Sequence, residues 1–441
     1  MKKVLVVSYY YAQGEVIGSI RIRGLIQHLA QFGWAPTLLT VSPDQSIRRA
    51  SNIIYTPMKP ADPLFPELFN IDPDVPFKEQ FSVPANRSLT SFLEYALKVY
   101  KEVIYYPDEQ KGWYSHAIAE GSRELKQNHY DAILSSSMPY TSHVIARELK
   151  RRHGVPWIAD FRDLWTQNHF FKHSTIRRLF ETRLERKTIE RADAITTVSE
   201  PLAGKLSALH EGIPVFTITN GFDPDLLNHG YPASTCFNIV YTGKIYDGKQ
   251  DPVPLFVALR SLIDERLVDP SVVRVDFYGH QSDWIYDEIS KYDLGKNVFL
   301  HDTVTRDRSI NLQRNAQILL LLTWNDPDEK GIYTGKIFEY LAAQRPILSI
   351  GDKGSVVDDL LLRTRAGVSL TDPAEISSYL RGCYRDYLSS GCVQYHGEVD
   401  KIQRYTHVEM AKKFATVLDK FVRDKVTSQI FCNLPEPCLL A

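Results

Sequence analysis

Residues Ile318–Leu322 read Ile-Leu-Leu-Leu-Leu, apolar at every position. A run this short and this uniform is a strand buried on both faces, the pattern of a parallel sheet covered by helices on each side. The next thirty residues narrow the fold further. Gly331–Pro346 reads Gly-Ile-Tyr-Thr-Gly-Lys-Ile-Phe-Glu-Tyr-Leu-Ala-Ala-Gln-Arg-Pro, and Ile347–Ile350 is a second apolar run. Strand, glycine-bearing loop, helix and strand make the βαβ unit of an open α/β sheet. The helix opens at Thr334-Gly335: threonine can cap free N–H groups, and glycine lets a ligand approach the backbone. A helix start of this kind is an anion site, because its amides point outward and its dipole adds partial positive charge. Lys336 adds a full charge. Glu339 lies four residues after Gly335, on the same face and one turn deeper, where it could accept hydrogen bonds from sugar hydroxyls. The stretch predicts a nucleoside-diphosphate site with Glu339 on the ribose. It fits equally an amphipathic helix with Ile337, Phe338 and Leu341 in the core, and the rest of the chain must separate the two.

The same βα rhythm runs through the chain. Lys3–Ser8 reads as a strand, followed by a loop with Gly14 and Gly18, a helix over 19–32 and a strand over 36–41. The loop is not GxGxxG and the second strand has no acidic end, so a dinucleotide fingerprint is absent. Further strands are predicted at Ala132–Ser136, Val155–Ala159, Ala194–Val198 and Val215–Ile218. Helices are expected over 141–153 and 174–191, the second solvated on its basic face. Residues 222–237, with Pro224, Gly230 and Pro232, look like a linker. The rhythm then restarts, with strands at Phe237–Tyr241, Val273–Tyr278, Val298–Leu300 and Ile318–Leu322, and a last helix over 408–424. The chain therefore predicts two tandem, Rossmann-like, doubly wound α/β domains. Their bounds are 1–221 and 238–404, with 222–237 as linker, a terminal helix over 405–424 packing back on the first domain, and a tail over 425–441.

At 441 residues the chain is long enough for two or three cores. A net charge of -1 gives no global field favouring nucleic acid. Five scattered cysteines form no CxxC pair or zinc spacing, and read as reduced thiols of a cytosolic protein. No stretch approaches the ~20 apolar residues of a membrane span. Leu89–Tyr106 reads as a surface helix, or alternatively as an interfacial one with its tyrosines and lysines at lipid headgroups.

Four landmarks, in order and sensibly spaced, resemble those of the GT-B glycosyltransferases, most closely family 4. They are Asp160-Phe-Arg162-Asp163-Leu-Trp165; Val198-Ser-Glu200 with Asn220-Gly-Phe-Asp223; Gly243-Lys244 with Lys249; and Lys336-Ile-Phe-Glu339 through Pro346. The first, with Pro107-Asp108 and Gly112-Trp113 upstream, resembles a branch that builds bacterial surface polysaccharides. The resemblance implies two domains facing a cleft and a retaining sugar transfer from a nucleotide-diphosphate sugar to a glycan or lipid-linked glycan. It implies a cytoplasmic enzyme, peripheral at the inner membrane face. Lys244 and Lys249 would neutralise the diphosphate, Thr334, Gly335 and Lys336 would meet the same phosphates, and Glu339 would hold the ribose. Val304, in the loop 302–304, would face the base. Gly14 and Gly18 would shape the loop near the leaving group. Acceptor-side candidates are Asp108, His116, Arg162 and Asp163.

Two lysines and a helix start would stabilise the leaving diphosphate without a metal, so neither metal nor cofactor is expected; the Asp326-Pro-Asp328 spacing is a weak metal pattern. The sequence departs from the family in three places. Gly331 stands where a second glutamate is usual, with Glu329 two residues early. Gln344 replaces a glycine, and the expected histidine falls near Ser136-Ser137, leaving His143 as a surface or packing residue. A sugar-nucleotide epimerase of the same architecture and a non-catalytic nucleotide-sugar binder remain open alternatives.

Overall fold

In the computed structural model, which describes residues 1–11, 17–42, 49–61, 99–168, 173–227, 234–279, 282–324, 326, 329–351 and 353–432, the pentad Ile318–Leu322 is an inner strand of a six-stranded sheet. The chain divides into two compact units. Residues 1–198, 202–217 and 413 onward form the first, and 199–201 with 218–412 the second.

The first unit holds strands β1 (Lys2–Ser8), β2 (Trp34–Val41), β3 (Arg49–Ala50), β4 (Ile53–Thr56), β5 (Ala132–Ser137), β6 (Trp157–Phe161), β7 (Ala194–Thr197) and β8 (Val215–Thr217), in the order β3-β4-β2-β1-β5-β6-β7-β8. All pairs are parallel except β3 with β4. Its helices are α1 (Ile17–His28), α2 (Tyr114–Gln127), α3 (Thr141–His153), α4 (Thr175–Ile189) and α5 (Glu200–Leu209). Gly33 ends the α1 segment in the left-handed region, φ 83°, a conformation that costs glycine nothing. Strand β6 starts two residues later than its apolar pattern predicts and runs on through Asp160. A charged residue is tolerated there because Arg21 grips it from two nitrogens, at 3.1 and 2.8 Å, while Ser136 and Thr196 donate their hydroxyls at 2.9 and 2.8 Å. Both ion-pair side chains are 1% exposed.

Helix α4 also departs from expectation. Its basic residues are not all solvated: Arg177 is buried with Glu181 and Glu185. The terminal helix spans His407–Cys432, beyond the predicted 424. Within the first unit its Phe414 and Leu418 are buried, and Asp419 accepts from Lys2 at 2.6 Å and Trp34 at 3.1 Å.

The second unit holds β9 (Phe237–Thr242), β10 (Val273–Tyr278), β11 (Val298–His301), β12 (Ile318–Leu322), β13 (Ile347–Ile350) and β14 (Gly367–Leu370), in the order β11-β10-β9-β12-β13-β14, all parallel. The helices that continue the numbering here are α6 (Val253–Asp264), α7 (Trp284–Lys291), α8 (Arg306–Asn315), α9 (Lys336–Ala343), α10 (Val356–Thr364) and α11 (Pro373–Ser390). Two apolar layers sandwich the sheet, one built on Phe256, Phe277 and Leu320 and the other on Leu319, Phe338 and Leu341. Residue 222, expected in a linker, lies in the second layer: Phe222 is buried and bridges to Thr406. The order reverses between β9 and β12, which pair only through Ile318 with Ile239 and Leu319 with Val240. Beyond those pairs the strands diverge toward their carboxyl ends. That is the switch point at which open α/β sheets hold ligands.

Candidate active site

Where β9 ends, Thr242 passes into Gly243 with φ 124°. A side chain is disfavoured by the backbone, which lies in the left-handed half of conformational space, and a Cβ would push aside the end of the Lys336 side chain, lying 2.9 Å from its Nζ. Lys336, the first residue of α9, folds back over the glycine, its ammonium 5.0 Å from the centroid of the Tyr241 ring. Burial lowers its pKa from 10.5 to about 8, against the opposing pull of Glu339. Gly279, closing β10, packs against the Gly243 backbone. The carboxyl ends of β9 and β10 and the start of α9 therefore converge on one ammonium.

Glu339 is engaged. Arg306 Nε donates to one oxygen at 3.1 Å and Gln313 Nε2 to the other at 3.4 Å. Gln313 also donates to the Thr242 hydroxyl at 3.1 Å, and the Tyr340 hydroxyl accepts from Thr242 N at 3.2 Å. Arg306 and Gln313 were not among the expected residues. Seven positions apart on α8, they share a face, a relation that shows only once the helix is known. Lys249 donates to Asp326 at 3.1 Å and sits 5.4 Å from the Trp324 ring; Lys244 is exposed, 5.9 Å from the Tyr246 ring. Val304 is half-buried in the loop before α8.

The predicted cap at Thr334 is a correction. The helix N-cap is Gly335, and the Thr334 hydroxyl is buried without a hydrogen-bond partner. It lines a small cleft, with room for little more than one water, together with Trp324, Asp326, Glu329 and Lys330. Gly331, at the family's glutamate position, contributes only its carbonyl, which accepts from Ser199 at 2.7 Å. Asp328 lies outside the described residues, and no group of three metal-ligating side chains comes together among the described ones.

In the first unit, Gly14 lies outside the described residues. Gly18, buried in α1, is where a Cβ would overlap the guanidinium of Arg162. Arg162 is held by the carbonyls of Ser137 at 2.5 Å and Met138 at 3.0 Å, so Gly18 and Arg162 come together at the ends of β5 and β6. Asp163 next to it is exposed. Asp108 is occupied structurally: its carboxylate takes the backbone N–H of Gln110 and both the N–H and hydroxyl of Thr141. His116, on α2, has a buried Nε2 with no partner. His143 is not at the surface. It is fully buried, 2.7 Å from the Ser135 hydroxyl, and burial lowers its pKa to about 3.

Residues 18–221 match the family model described as a glycosyl transferase 4-like domain. The chain has the GT-B fold, and the family match covers a little under half of it. Among solved structures it resembles sucrose-phosphate synthase from Thermosynechococcus elongatus, at 12% identity over 96% of this chain and 100% of that one, with a TM-score of 0.60. It also resembles Anabaena HepE in complex with UDP and glucose, at 13% over 95% and 100%, TM-score 0.59. A third is the apo form of the lipopolysaccharide outer core galactosyltransferase WaaB, at 13% over 95% and 99%, TM-score 0.54. At such identities the likeness to this GT-B protein is one of fold. No curated protein matches the sequence significantly. No described helix is long and apolar enough to cross a membrane.

Proposed function

We propose that this chain is a retaining, metal-independent hexosyltransferase. It would move a sugar from a nucleoside-diphosphate sugar to a glycan or lipid-linked glycan in bacterial polysaccharide synthesis, at the cytoplasmic face of the membrane. The observation that carries the reading is the desolvated Lys336 ammonium, folded onto Gly243 at the sheet's switch point with the orphaned Thr334 hydroxyl beside the helix start. Negative charge grows on the β-phosphate as the sugar departs, and fixed positive groups aimed there supply the largest catalytic term. Lys336, Lys244, Lys249 and the first amides of α9 fill that role. Glu339, braced by Arg306 and Gln313, accepts from the ribose hydroxyls. Glu329, lining the cleft beside Thr334, takes the place of the glutamate missing at Gly331. The acceptor hydroxyl attacks from the leaving-group face and passes its proton to the departing phosphate. Arg162, Asp163 and His116 serve the acceptor. Uridine is the first base to test, because the HepE structure of similar fold holds UDP and glucose.

The test is UDP release from UDP-glucose and related donors, with a lipid-linked glycan extract as acceptor, in EDTA. Release that depends on acceptor and falls by about 10²–10³ in Lys244→Ala supports the reading. Free epimerised nucleotide sugar without acceptor, or binding without release, would replace it with one of the alternatives.

A further inference from the structure

The second unit holds a cavity of about 470 Å³, within the size range of small-molecule sites. Pro346, Ala366, Gly367 and Val368 line it, at the amino ends of β13 and β14. The candidate nucleotide site lies at the opposite, carboxyl ends of β9 and β10. Strand β14 is the last of its sheet, and the two apolar layers meet around it. Leu361 and Ala366 belong to the layer built on Phe338, and Cys383 and Val393 to the one built on Phe256. The cavity is the space left between them.

Helix α11 turns one stripe toward this space: Ser378, Tyr379, Gly382, Cys383 and Asp386, the three-and-four spacing of a single helix face. Gly382 stands mid-stripe in an 18-residue helix. Glycine weakens a helix interior relative to alanine, and a Cβ there would meet nothing within 4 Å. The space is therefore kept open at a cost that alanine would not incur. At the mouth, Leu362 is 78% exposed, more than any other large apolar side chain described in the second unit. Charges of both signs line the same opening. Arg365 ends α10 and its side chain is 66% exposed, while Asp386 is half-buried on α11. No ion pair joins the two among the described residues, and the Arg365 guanidinium makes a loose one with Glu398, at 3.8 Å. Cys383 belongs to the apolar wall. Burial, against the hydrogen bond of Tyr379 and with the nearby Asp386 charge, pushes its thiol up to about 11, so it stays protonated near neutral pH and is a poor nucleophile.

We propose that this cavity is a second ligand site, for a small zwitterion with an apolar body. The body fills the space beside Gly382 and covers Leu362, the ligand's carboxylate meets Arg365, and its ammonium meets Asp386. Aromatic α-amino acids have this build. The site stands apart from the proposed transferase reading, because none of its lining residues belongs to the candidate nucleotide site.

The experiment is calorimetric titration of the full chain with L-tryptophan, with tryptamine, which lacks the carboxylate, and with indole-3-propanoate, which lacks the ammonium. Wild type should bind L-tryptophan most tightly, and loss of either charged group should weaken binding about two- to fivefold, the worth of an exposed ion pair. Arg365→Gln should weaken L-tryptophan and indole-3-propanoate by that factor and leave tryptamine unchanged. Asp386→Asn should weaken L-tryptophan and tryptamine and leave indole-3-propanoate unchanged. Gly382→Phe, which puts a ring into the open space, should weaken all three at least about tenfold, whereas Gly382→Ala should raise the thermal midpoint of the ligand-free chain. The proposal is overturned if wild type binds none of the three, if Gly382→Phe binds them as well as wild type, or if the two charge variants affect all three alike. Displacement of L-tryptophan by UDP would place the probe in the nucleotide cleft and overturn it too. UDP titrated into Gly382→Phe, and L-tryptophan into Lys244→Ala, should each match wild type, so failure of the nucleotide site and failure of this one are read separately.

Discussion

Raising the pH should weaken nucleoside-diphosphate binding through one side chain, Lys336. Its ammonium is pressed between Gly243 and the Tyr241 ring, and burial brings its pKa from 10.5 to about 8. Roughly nine-tenths of these side chains then carry a proton at about pH 7, half at about pH 8 and a tenth at about pH 9. If the ammonium contacts the diphosphate, affinity above about pH 8 should fall toward tenfold for each further pH step of one. The ligand-free protein responds with the opposite sign. The folded-state pKa lies below the ordinary one, so between about pH 8 and 10.5 the unfolded chain holds a proton that the folded chain has released. This group's cost to stability, roughly 3 kcal/mol, is present below that window and fades as pH rises through it. Lys336→Met should remove both trends, and the wild-type-minus-variant difference isolates this lysine from other groups titrating in the range. Calorimetric titration of UDP and urea unfolding of the ligand-free chain, each at several pH values, read the two effects. A UDP affinity whose pH dependence is the same in wild type and Lys336→Met would refute the reasoning.

Three further outcomes are expected. Asp160→Ala should lower the unfolding free energy by about 3–5 kcal/mol in chemical denaturation, because it removes the carboxylate that balances the buried charge of Arg21; a loss under ~1 kcal/mol would mean that the ion pair is not buried in solution. Glu339→Ala should weaken UDP at least about tenfold, or ~1.4 kcal/mol, and erase discrimination against 2′-deoxy-UDP. Equal discrimination in the variant would remove Glu339 from the ribose. Gly18→Ala should displace the Arg162 guanidinium, and a double-mutant cycle with Arg162→Ala should show a coupling of about 0.5–3 kcal/mol; additive effects would mean the two do not touch.

The fold was legible where one physical signal dominated. Ile318–Leu322 and Ile347–Ile350 are strands over the expected residues, because unbroken apolar runs between helices have no other low-energy arrangement. It was illegible where side-chain pairing overrode pattern. Asp160 hides inside β6 because Arg21, Ser136 and Thr196 satisfy it, and α4 reverses its polarity because Glu181 and Glu185 find partners in Arg177, Trp165 and Thr166. In the candidate site, the meeting of Gly243 with Lys336 results from strand order; the sequence predicted Gly243 just after a strand and Lys336 at a helix start. The partners of Glu339 were hidden, because residues 306–315 carry too little apolar patterning to declare a helix from sequence. Asp108 illustrates the converse. A polar residue in a suggestive motif was spent on capping Gln110 and Thr141.

The central claim is that the second unit's switch point binds a nucleoside diphosphate. A thermal-shift comparison of UDP, GDP, ADP and dTDP in EDTA, on wild type, Lys244→Ala and Glu339→Ala, tests it most directly. The account predicts that one nucleotide family, at 100 times its Kd, stabilises the wild type by about 2.7 kcal/mol and that both variants lose most of the shift. No shift with any nucleotide, or equal shifts in all three proteins, would contradict it.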